Sequence, residues 1–472
     1  MALADIRDPQ RFAGWRFGEK LPRGVTKFLS GQLSTEQRLA GAAFAIRMAS
    51  AGIIFASQAL IARWMGSGEF GSYIYVWTWL LLASEIVHLG LPLTAQRFVP
   101  EYKEAGSEDL LRGYLSGSQW ITLSISLTIA AAIGLTIWLL RSALDAQLVI
   151  PFIFACAALP AYALTFMADG LARSYNWIGL ALLPAYIVRP VALVAAIATL
   201  RVMGVELNST IVMGMLAIAA WLAVALQALR LNHKVSRVTR PGPKRYATKH
   251  WITTALPIVL VWGLYTLLTS TDVIVLKQFR SSQEVAHYYA AAKIVALVSI
   301  IYFAVAATTA HRFATLFVSS KHSELRLFAG STVRWVFWLS LLVTVMLLLL
   351  GRWLLLMFGA DFVSAYPVMV ILAIGQLARA AVGPAERLLN VLGQQRKCAL
   401  VYTVAFVFNI SMCLLLAPVY GAIGAAVATA GAFGIESLML FMVVKYAVGI
   451  HMFVWNWNEE ARPSPELRAE QG

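Results

Sequence analysis

Ionisable side chains interrupt the apolar stretches of this 472-residue chain, and these side chains could bind or couple charged species. A charge in the middle of a bilayer costs about 2.5–3.5 kcal/mol or more, so it is usually kept where it faces a cavity or a partner. Ten candidates fall into three groups: the arginines Arg47, Arg189 and Arg379; the mixed set Glu85, His88, Asp272, Lys293 and Glu436; and the carboxylates Asp169 and Glu386.

The three arginines are candidates for binding an anionic substrate. Arg189 lies about 20 Å along its predicted helix, too deep to reach the surface easily, and Pro190 beside it predicts a kink. Arg47 lies about 9 Å inside its helix and can extend to the membrane surface. If Arg47, Arg189 and Arg379 face inward, they supply positive charge that suits a diphosphate or an acidic sugar. The alternative for Arg189 is a buried salt bridge with a carboxylate on a neighbouring helix.

The second group is suited to ion coupling or gating. Glu85 and His88 are three residues apart, so they share one helix face near the middle of the membrane, either as a functional pair or as a structural hydrogen-bonded pair. Asp272 and Lys293 lie at comparable depth and could pair, as an outer gate or as a structural link. Glu436 is a further buried carboxylate, about 22 Å along its helix.

Two carboxylates recur near the predicted cytoplasmic surface. The segment A-D-G-L (168–171) carries Asp169, and the similar segment A-E-R-L (385–388) carries Glu386. One interpretation is that both form ion pairs that close a cytoplasmic gate. The other is that they are ordinary surface charges, since charge costs little at the membrane interface.

The composition indicates what kind of fold must hold these side chains. Hydrophobic residues make up 60% of the chain and charged residues only 13%, whereas a soluble protein has about 25% charged residues. Apolar runs of about twenty residues recur along the chain, which predicts an all-α, polytopic membrane protein. The predicted spans are 41–63, 73–96, 115–140, 149–171, 176–200, 206–230, 252–276, 287–310, 328–350, 364–388, 398–417 and 421–447.

An internal repeat organises the spans. Between Glu69 and Phe98, nine residues are identical to the residues 215 positions later, where chance gives roughly two or three. The sequence therefore predicts one six-helix unit written twice, with both copies in the same orientation. The predicted organisation is a cytoplasmic tail (1–40), a first six-helix bundle (41–230), a basic linker (231–251), a second bundle (252–447) and a cytoplasmic tail (448–472).

Charge placement predicts the topology. The net charge is +15, and most Lys and Arg outside the spans lie on the side that carries both termini and the basic linker. By the positive-inside rule this side is cytoplasmic, in a bacterial inner membrane, and its basic residues contact anionic lipid head groups rather than nucleic acid. The sequence has no Walker loop, nucleophile setting, metal-ligand cluster or nucleotide fingerprint, so neither enzymatic activity, nor a metal, nor another cofactor is predicted.

Several segments together resemble a known family. They are R-W-M-G-S-G-E-F-G-S-Y (63–73), G-L-P-L-T-A-Q-R-F-V-P-E-Y (90–102), Q-E-V-A-H-Y-Y-A-A-A-K (283–293), F-G-A-D-F (358–362) and G-A-I-G-A-A-V-A-T (421–429). In order and spacing they resemble polysaccharide-biosynthesis flippases of the multidrug/oligosaccharidyl-lipid/polysaccharide exporter superfamily, over about residues 40–447. The second half departs from the pattern: Gly66, Gly68 and Gly71 align with Ser281, Gln283 and Ala286.

The resemblance implies a fold and an activity. Twelve helices form two bundles arranged as a V around a central cavity. By alternating access they move a polyprenyl-diphosphate-linked oligosaccharide to the periplasmic leaflet, with membrane lipids and other polysaccharide-assembly membrane proteins as partners. One alternative is a multidrug/cation antiporter of the same superfamily that uses Glu85, Asp272 or Glu436 for coupling. The other is a membrane glycosyltransferase, polymerase or ligase, which would usually carry a large outer catalytic loop that this chain lacks.

Overall fold

A computed structural model describes residues 35–142, 145–319 and 321–455, and every regular secondary-structure element in this part of the chain is a helix. The predicted N-terminal tail, apart from its last residues, lies outside the described residues, as does most of the C-terminal tail. The helices are α1 (Thr35–Met65), α2 (Ser67–Val87), α3 (Leu91–Glu104), α4 (Glu108–Leu139), α5 (Ala146–Ser174), α6 (Ile178–Val202), α7 (Ser209–Val238), α8 (Thr248–Leu268), α9 (Thr271–Phe279), α10 (Ser282–Ala296), α11 (Ser299–Val318), α12 (His322–Leu356), α13 (Tyr366–Ala380), α14 (Ala385–Val391) and α15 (Gln395–Val448).

The helices confirm an all-α membrane protein. Among the described residues, eleven helical stretches are long and apolar enough to cross a membrane. The last, α15, has 54 residues, which at 1.5 Å per residue is about 80 Å and far exceeds a hydrocarbon core of about 30 Å. Its backbone turns at Gly421, where φ is 58° and ψ is −135°. Counting α15 as two spans gives twelve, the number predicted from the sequence.

Successive spans alternate in direction, so the connections lie on two faces of the molecule. We call the face with the turns at 66, 203–208 and 280–281 the turn face. The face with the connections at 105–107, 175–177 and 239–247 is called the linker face. Residues 41–230 are called the first half and residues 252–447 the second half.

The two halves have helices in matching order. Helix α2 begins at Ser67 and α10 begins at Ser282, 215 residues later. Two repeated carboxylates have the same structural role in both halves, because each accepts a hydrogen bond from a backbone N–H at the start of the last span of its half. Glu69 accepts from Ser209 at 2.7 Å, and Glu284 accepts from Ala422 at 3.3 Å. The domain boundaries given above remain predictions.

The halves touch closely on the turn face, where α2 packs against α10. A Cβ atom added to Gly71 would lie 1.7 Å from the carbonyl oxygen of Ser282, so only glycine permits this approach. One residue further along α2, the Ser72 and Ser282 hydroxyls are 3.0 Å apart. This contact joins the two repeats at equivalent helix ends.

Four spans are broken within their length. The breaks lie at His88–Gly90, Thr269–Ser270, Leu297–Val298 and Ala381–Pro384. The last contains Pro384 and Gly383, and Gly383 has a φ of 60°. Broken helices expose backbone polar groups, which membrane proteins tolerate where the backbone is buried in protein or lines a cavity. The breaks therefore mark the region in which a polar site is expected.

Candidate functional site

A cavity of about 440 Å³ lies between the halves at the level of these breaks. We call it the central cavity. Its wall from the first half is α2, with Trp77 and Glu85, and its wall from the second half comes from α8 to α11, α13 and α15. Four of the ten sequence candidates line it: Glu85, Asp272, Lys293 and Arg379.

Lys293 places a positive charge where the two halves meet. Its Nζ lies 4.9 Å from the ring centroid of Tyr289 in its own half and 5.6 Å from that of Trp77 in the other half. Within the described chain, no carboxylate oxygen lies within 4 Å of this ammonium. Aromatic faces stabilise a cation without neutralising it, so the ammonium form of Lys293 can bind an anion without first leaving a carboxylate of the described chain.

The aromatic contacts of Lys293 continue into the first half. The indole Nε1 of Trp77 donates to the hydroxyl of Tyr162 at 3.2 Å. The guanidinium carbon of Arg189 lies 4.0 Å from the Tyr162 ring centroid. Arg189 is half-buried and is not among the residues that line the central cavity. Arg189 is therefore linked to the central cavity through Tyr162 and Trp77, and its predicted contact with the substrate stays a prediction.

Asp272 is bonded within its own half instead of pairing with Lys293. This buried carboxylate accepts from the hydroxyl of Tyr288, from Thr429 Oγ1 at 3.3 Å and from the Val273 N–H at 2.8 Å. Asn409 in turn donates to Thr429 at 3.3 Å. The three donors satisfy the charge of Asp272 locally, which explains why the predicted ion pair with Lys293 does not form within 4 Å.

Arg379 and Glu436 form a buried ion pair. The Nη2 to Oε1 distance is 3.3 Å, and the side chain of Glu436 is 2% exposed. Arg379 also lies over the rings of Phe433 and Tyr265, at 4.8 and 5.5 Å. Among the described residues, the second carboxylate oxygen of Glu436 has no hydrogen-bond partner, so the pair is held through one oxygen. An anion in the cavity can therefore compete with Glu436 for Arg379.

Glu85 and His88 form the predicted pair at the break between α2 and α3. His88 Nε2 lies 3.3 Å from Glu85 Oε2, while His88 Nδ1 accepts the Gly90 N–H at 3.1 Å. Because Nδ1 is an acceptor, Nε2 carries the proton and donates it to Glu85. A Cβ atom added to Gly90 would lie 2.7 Å from the side chain of Val259 on α8. The break in the first half therefore packs closely against the second half.

The remaining three candidates lie away from the central cavity. Arg47 is exposed, with its guanidinium 5.2 Å from the Tyr186 ring centroid. Asp169 forms a two-point ion pair with Arg173 one turn further along α5, at 2.7 and 3.1 Å. Glu386 accepts from Asn390 one turn along α14, at 3.3 Å. Both predicted gate carboxylates are thus bonded to their own helices in this conformation.

A second cavity, of about 570 Å³, extends from the central region toward the linker face, lined by the second half and by Leu93 of the first half. We call it the arginine cavity because Arg379, Arg387 and Arg396 line it. It shares Arg379 and Tyr265 with the central cavity. Among the described residues, no group of three or more His, Cys, Asp or Glu side chains could hold a metal ion.

Aromatic residues of the central cavity were not among the sequence candidates. Trp77, Tyr265 and Tyr289 provide the ring faces around Lys293 and Arg379. The internal repeat gave one indication of an aromatic lining residue. Tyr288, which also lines the central cavity, is identical to Tyr73, 215 positions earlier. Aromatic side chains are frequent in apolar helices, so composition alone does not separate a cavity-lining ring from a lipid-facing one.

Solved structures with a similar fold are membrane transporters. An inward-facing multidrug resistance MATE family transporter of the MOP superfamily has a TM-score of 0.71 at 12% identity, covering 84% of this chain and 94% of that one. The lipid II flippase MurJ in an inward closed conformation has a TM-score of 0.62 at 16% identity, covering 85% and 87%. A MOP superfamily transporter from Pyrococcus furiosus has a TM-score of 0.63 at 13% identity, covering 91% and 99%.

Sequence comparison identifies the family. A comparison with curated proteins finds no match. The family described as "Polysaccharide biosynthesis protein" matches residues 40–311, which is more than half of the chain, and the MatE family matches residues 257–415. The chain therefore belongs to the polysaccharide biosynthesis protein family, and its fold is similar to that of transporters of the MOP superfamily.

Proposed function

We propose that this transporter flips a polyprenyl-diphosphate-linked oligosaccharide across the bacterial inner membrane during surface polysaccharide biosynthesis. The observation that carries the proposal is the pair of cations in the central cavity, Lys293 and Arg379, set among aromatic rings between the two halves. Cationic side chains form strong, charge-assisted hydrogen bonds with phosphate oxygens. Aromatic faces suit sugar rings, which have apolar C–H surfaces.

The proposed transport cycle is alternating access. The substrate enters from the linker face, and its diphosphate binds Lys293 and competes with Glu436 for Arg379. Release on the turn face requires the contact between Gly71 and Ser282 to separate. The linker face carries most of the Lys and Arg outside the spans, so we assign it to the cytoplasm, with both termini. Its basic residues then lie next to anionic lipids, and other polysaccharide-assembly proteins are proposed as neighbours.

The test is the location of the lipid-linked glycan in a deletion strain. We expect the glycan to accumulate on the cytoplasmic leaflet, and surface polysaccharide to be lost and then restored by the wild-type gene. A normal distribution of the glycan between the leaflets would contradict the proposal. Restoration by a Lys293→Arg variant, but not by Lys293→Met, would link the phenotype to the central cavity.

A multidrug/cation antiporter is the second candidate. The match to the MatE family over residues 257–415 favours it, as do the carboxylates Glu85 and Asp272 in the lining of the central cavity. A cationic drug would bind these carboxylates, and an inward flow of cations would drive its exit. The deletion strain would then be sensitive to cationic drugs while its surface glycans stay normal, and Asp272→Asn would fail to restore resistance.

A further inference from the structure

The arginine cavity has cations that the protein does not neutralise. Arg387 is half-buried and Arg396 is exposed, and within the described residues neither guanidinium has a hydrogen-bond or carboxylate partner. The acid in the described lining is Glu386, which accepts from Asn390. The third arginine, Arg379, is already paired with Glu436. The described lining therefore has two guanidinium groups available to a ligand, and its one carboxylate, Glu386, is bonded to Asn390.

The other walls of this cavity suit an amphipathic ligand. Leu93, Pro257, Ile258 and Trp262 form an apolar side, and Trp262 is 41% exposed at the outside of the molecule. The lining also includes the polar groups of Gln395 and Asn390 together with the arginines. A volume of about 570 Å³ is in the range of cavities that hold small molecules or head groups. The lining thus combines cationic groups, which suit a charged head group, with apolar groups, which suit a hydrocarbon chain.

The arginine cavity leads to the central cavity. Arg396 lies in the first turn of α15, at the linker face, and Arg387 lies on α14. Arg379 and Tyr265 border both cavities. A small space lined by Ser299, Gln376 and Arg379 lies at the junction. Arg396, Arg387 and Arg379 thus form a series of cations that runs from the linker face to the substrate region.

We propose that the arginine cavity is a separate binding site for a phosphate or diphosphate head group, held by Arg387 and Arg396 before it reaches Arg379. The apolar side receives the first part of the attached hydrocarbon chain. Two sources share this chemistry, the lipid-linked glycan and the anionic phospholipids of the membrane. We assign the site to the glycan carrier, and this assignment rests on the proposed function.

Inorganic pyrophosphate is the probe for the site. Binding to the purified full-length transporter in phosphatidylcholine nanodiscs is measured by calorimetry for wild type, for Arg387→Gln/Arg396→Gln and for a control, Arg237→Gln/Lys397→Gln. The control removes the same charge from exposed positions that line neither cavity. We expect the arginine double variant to bind at least about tenfold more weakly, because charge-assisted hydrogen bonds to phosphate are lost, and the control to bind as wild type. Equal binding by the wild type and the arginine double variant would overturn the site.

A second arm separates the two sources of phosphate. The same titrations are repeated in nanodiscs that contain phosphatidylglycerol. If phosphatidylglycerol leaves the pyrophosphate affinity unchanged, the glycan carrier is supported as the ligand. If phosphatidylglycerol weakens pyrophosphate binding to the wild type but not to the arginine double variant, the site binds phospholipid and the carrier assignment is overturned. Glycan export is scored separately in cells. One outcome would keep the phosphate site and reject the proposed function. In that outcome the arginine double variant loses pyrophosphate binding, while the deletion strain has a normal distribution of the glycan between the leaflets.

Discussion

At the scale of single residues, the decisive feature is which charges are already satisfied. Asp272 receives three hydrogen bonds in its own half, and Arg379 shares one oxygen of Glu436. Lys293 contacts aromatic rings from both halves and no carboxylate of the described chain within 4 Å. A cation held by rings binds an incoming anion without first breaking an ion pair. We therefore expect Lys293 to carry the largest part of substrate selectivity.

Replacing Lys293 should separate charge from packing. Lys293→Met keeps a long apolar side chain between the rings but removes the charge, so we expect glycan export to be lost. The melting temperature should stay the same or rise, because a partly buried charge no longer has to be desolvated. Lys293→Arg should retain part of the export. Export at the wild-type level by Lys293→Met would exclude this residue from substrate binding.

The buried pair of Arg379 and Glu436 should behave as a coupled unit. Arg379→Gln or Glu436→Gln alone leaves an unpaired buried charge, which costs about 3–5 kcal/mol of stability. The double variant removes both charges and should cost less than the sum of the two single changes. Denaturation of all four proteins in one detergent measures the coupling. Additive losses would show that the ion pair is not a unit, and export by a stable double variant would exclude Arg379 from substrate binding.

At the scale of helices, the four broken spans bring polar groups to one level. The break after α2 orients His88 toward Glu85, and the break before α9 places Asp272 beside Tyr288. The close approach of Gly71 to Ser282 then fixes how the two repeats face each other on the turn face. Any movement that opens this face has to separate α2 from α10.

A side chain at Gly71 should disturb this contact. Gly71→Ala places a Cβ against the Ser282 carbonyl, so we expect a loss of about 1–3 kcal/mol from overpacking and a marked drop in export. Gly68→Ala is the matched control on the same helix, because nothing lies within 4 Å of its added Cβ. Thermal unfolding and export assays compare the two variants. Equal behaviour of both would argue against a tight contact between α2 and α10.

At the scale of the whole molecule, hydropathy and periodicity were enough to predict the helices. The twelve predicted spans match the eleven long apolar helices once α15 is counted as two. The rotation of each helix was harder to predict, because apolar faces point both to lipid and to protein in a membrane. Arg189 is an example: its guanidinium packs on the Tyr162 ring, and its predicted contact with the substrate stays a prediction. The contact of Lys293 with Trp77 joins the two halves. It could not be predicted from residue spacing, because the two residues lie far apart in the sequence.

The central claim, that this molecule flips a lipid-linked glycan by alternating access, is tested most directly by locking the turn face. Ser72 and Ser282 are 3.0 Å apart across the halves, so Ser72→Cys/Ser282→Cys should form a reversible disulfide when Cys156, Cys398 and Cys413 are replaced by alanine. The measurement is movement of the glycan-lipid from the deletion strain across vesicles that contain this protein. We expect movement with the reduced protein and none with the oxidised protein. Two results would contradict the account. One is an equal rate of movement with the reduced and the oxidised protein. The other is no movement with either the reduced protein or the wild type in matched vesicles.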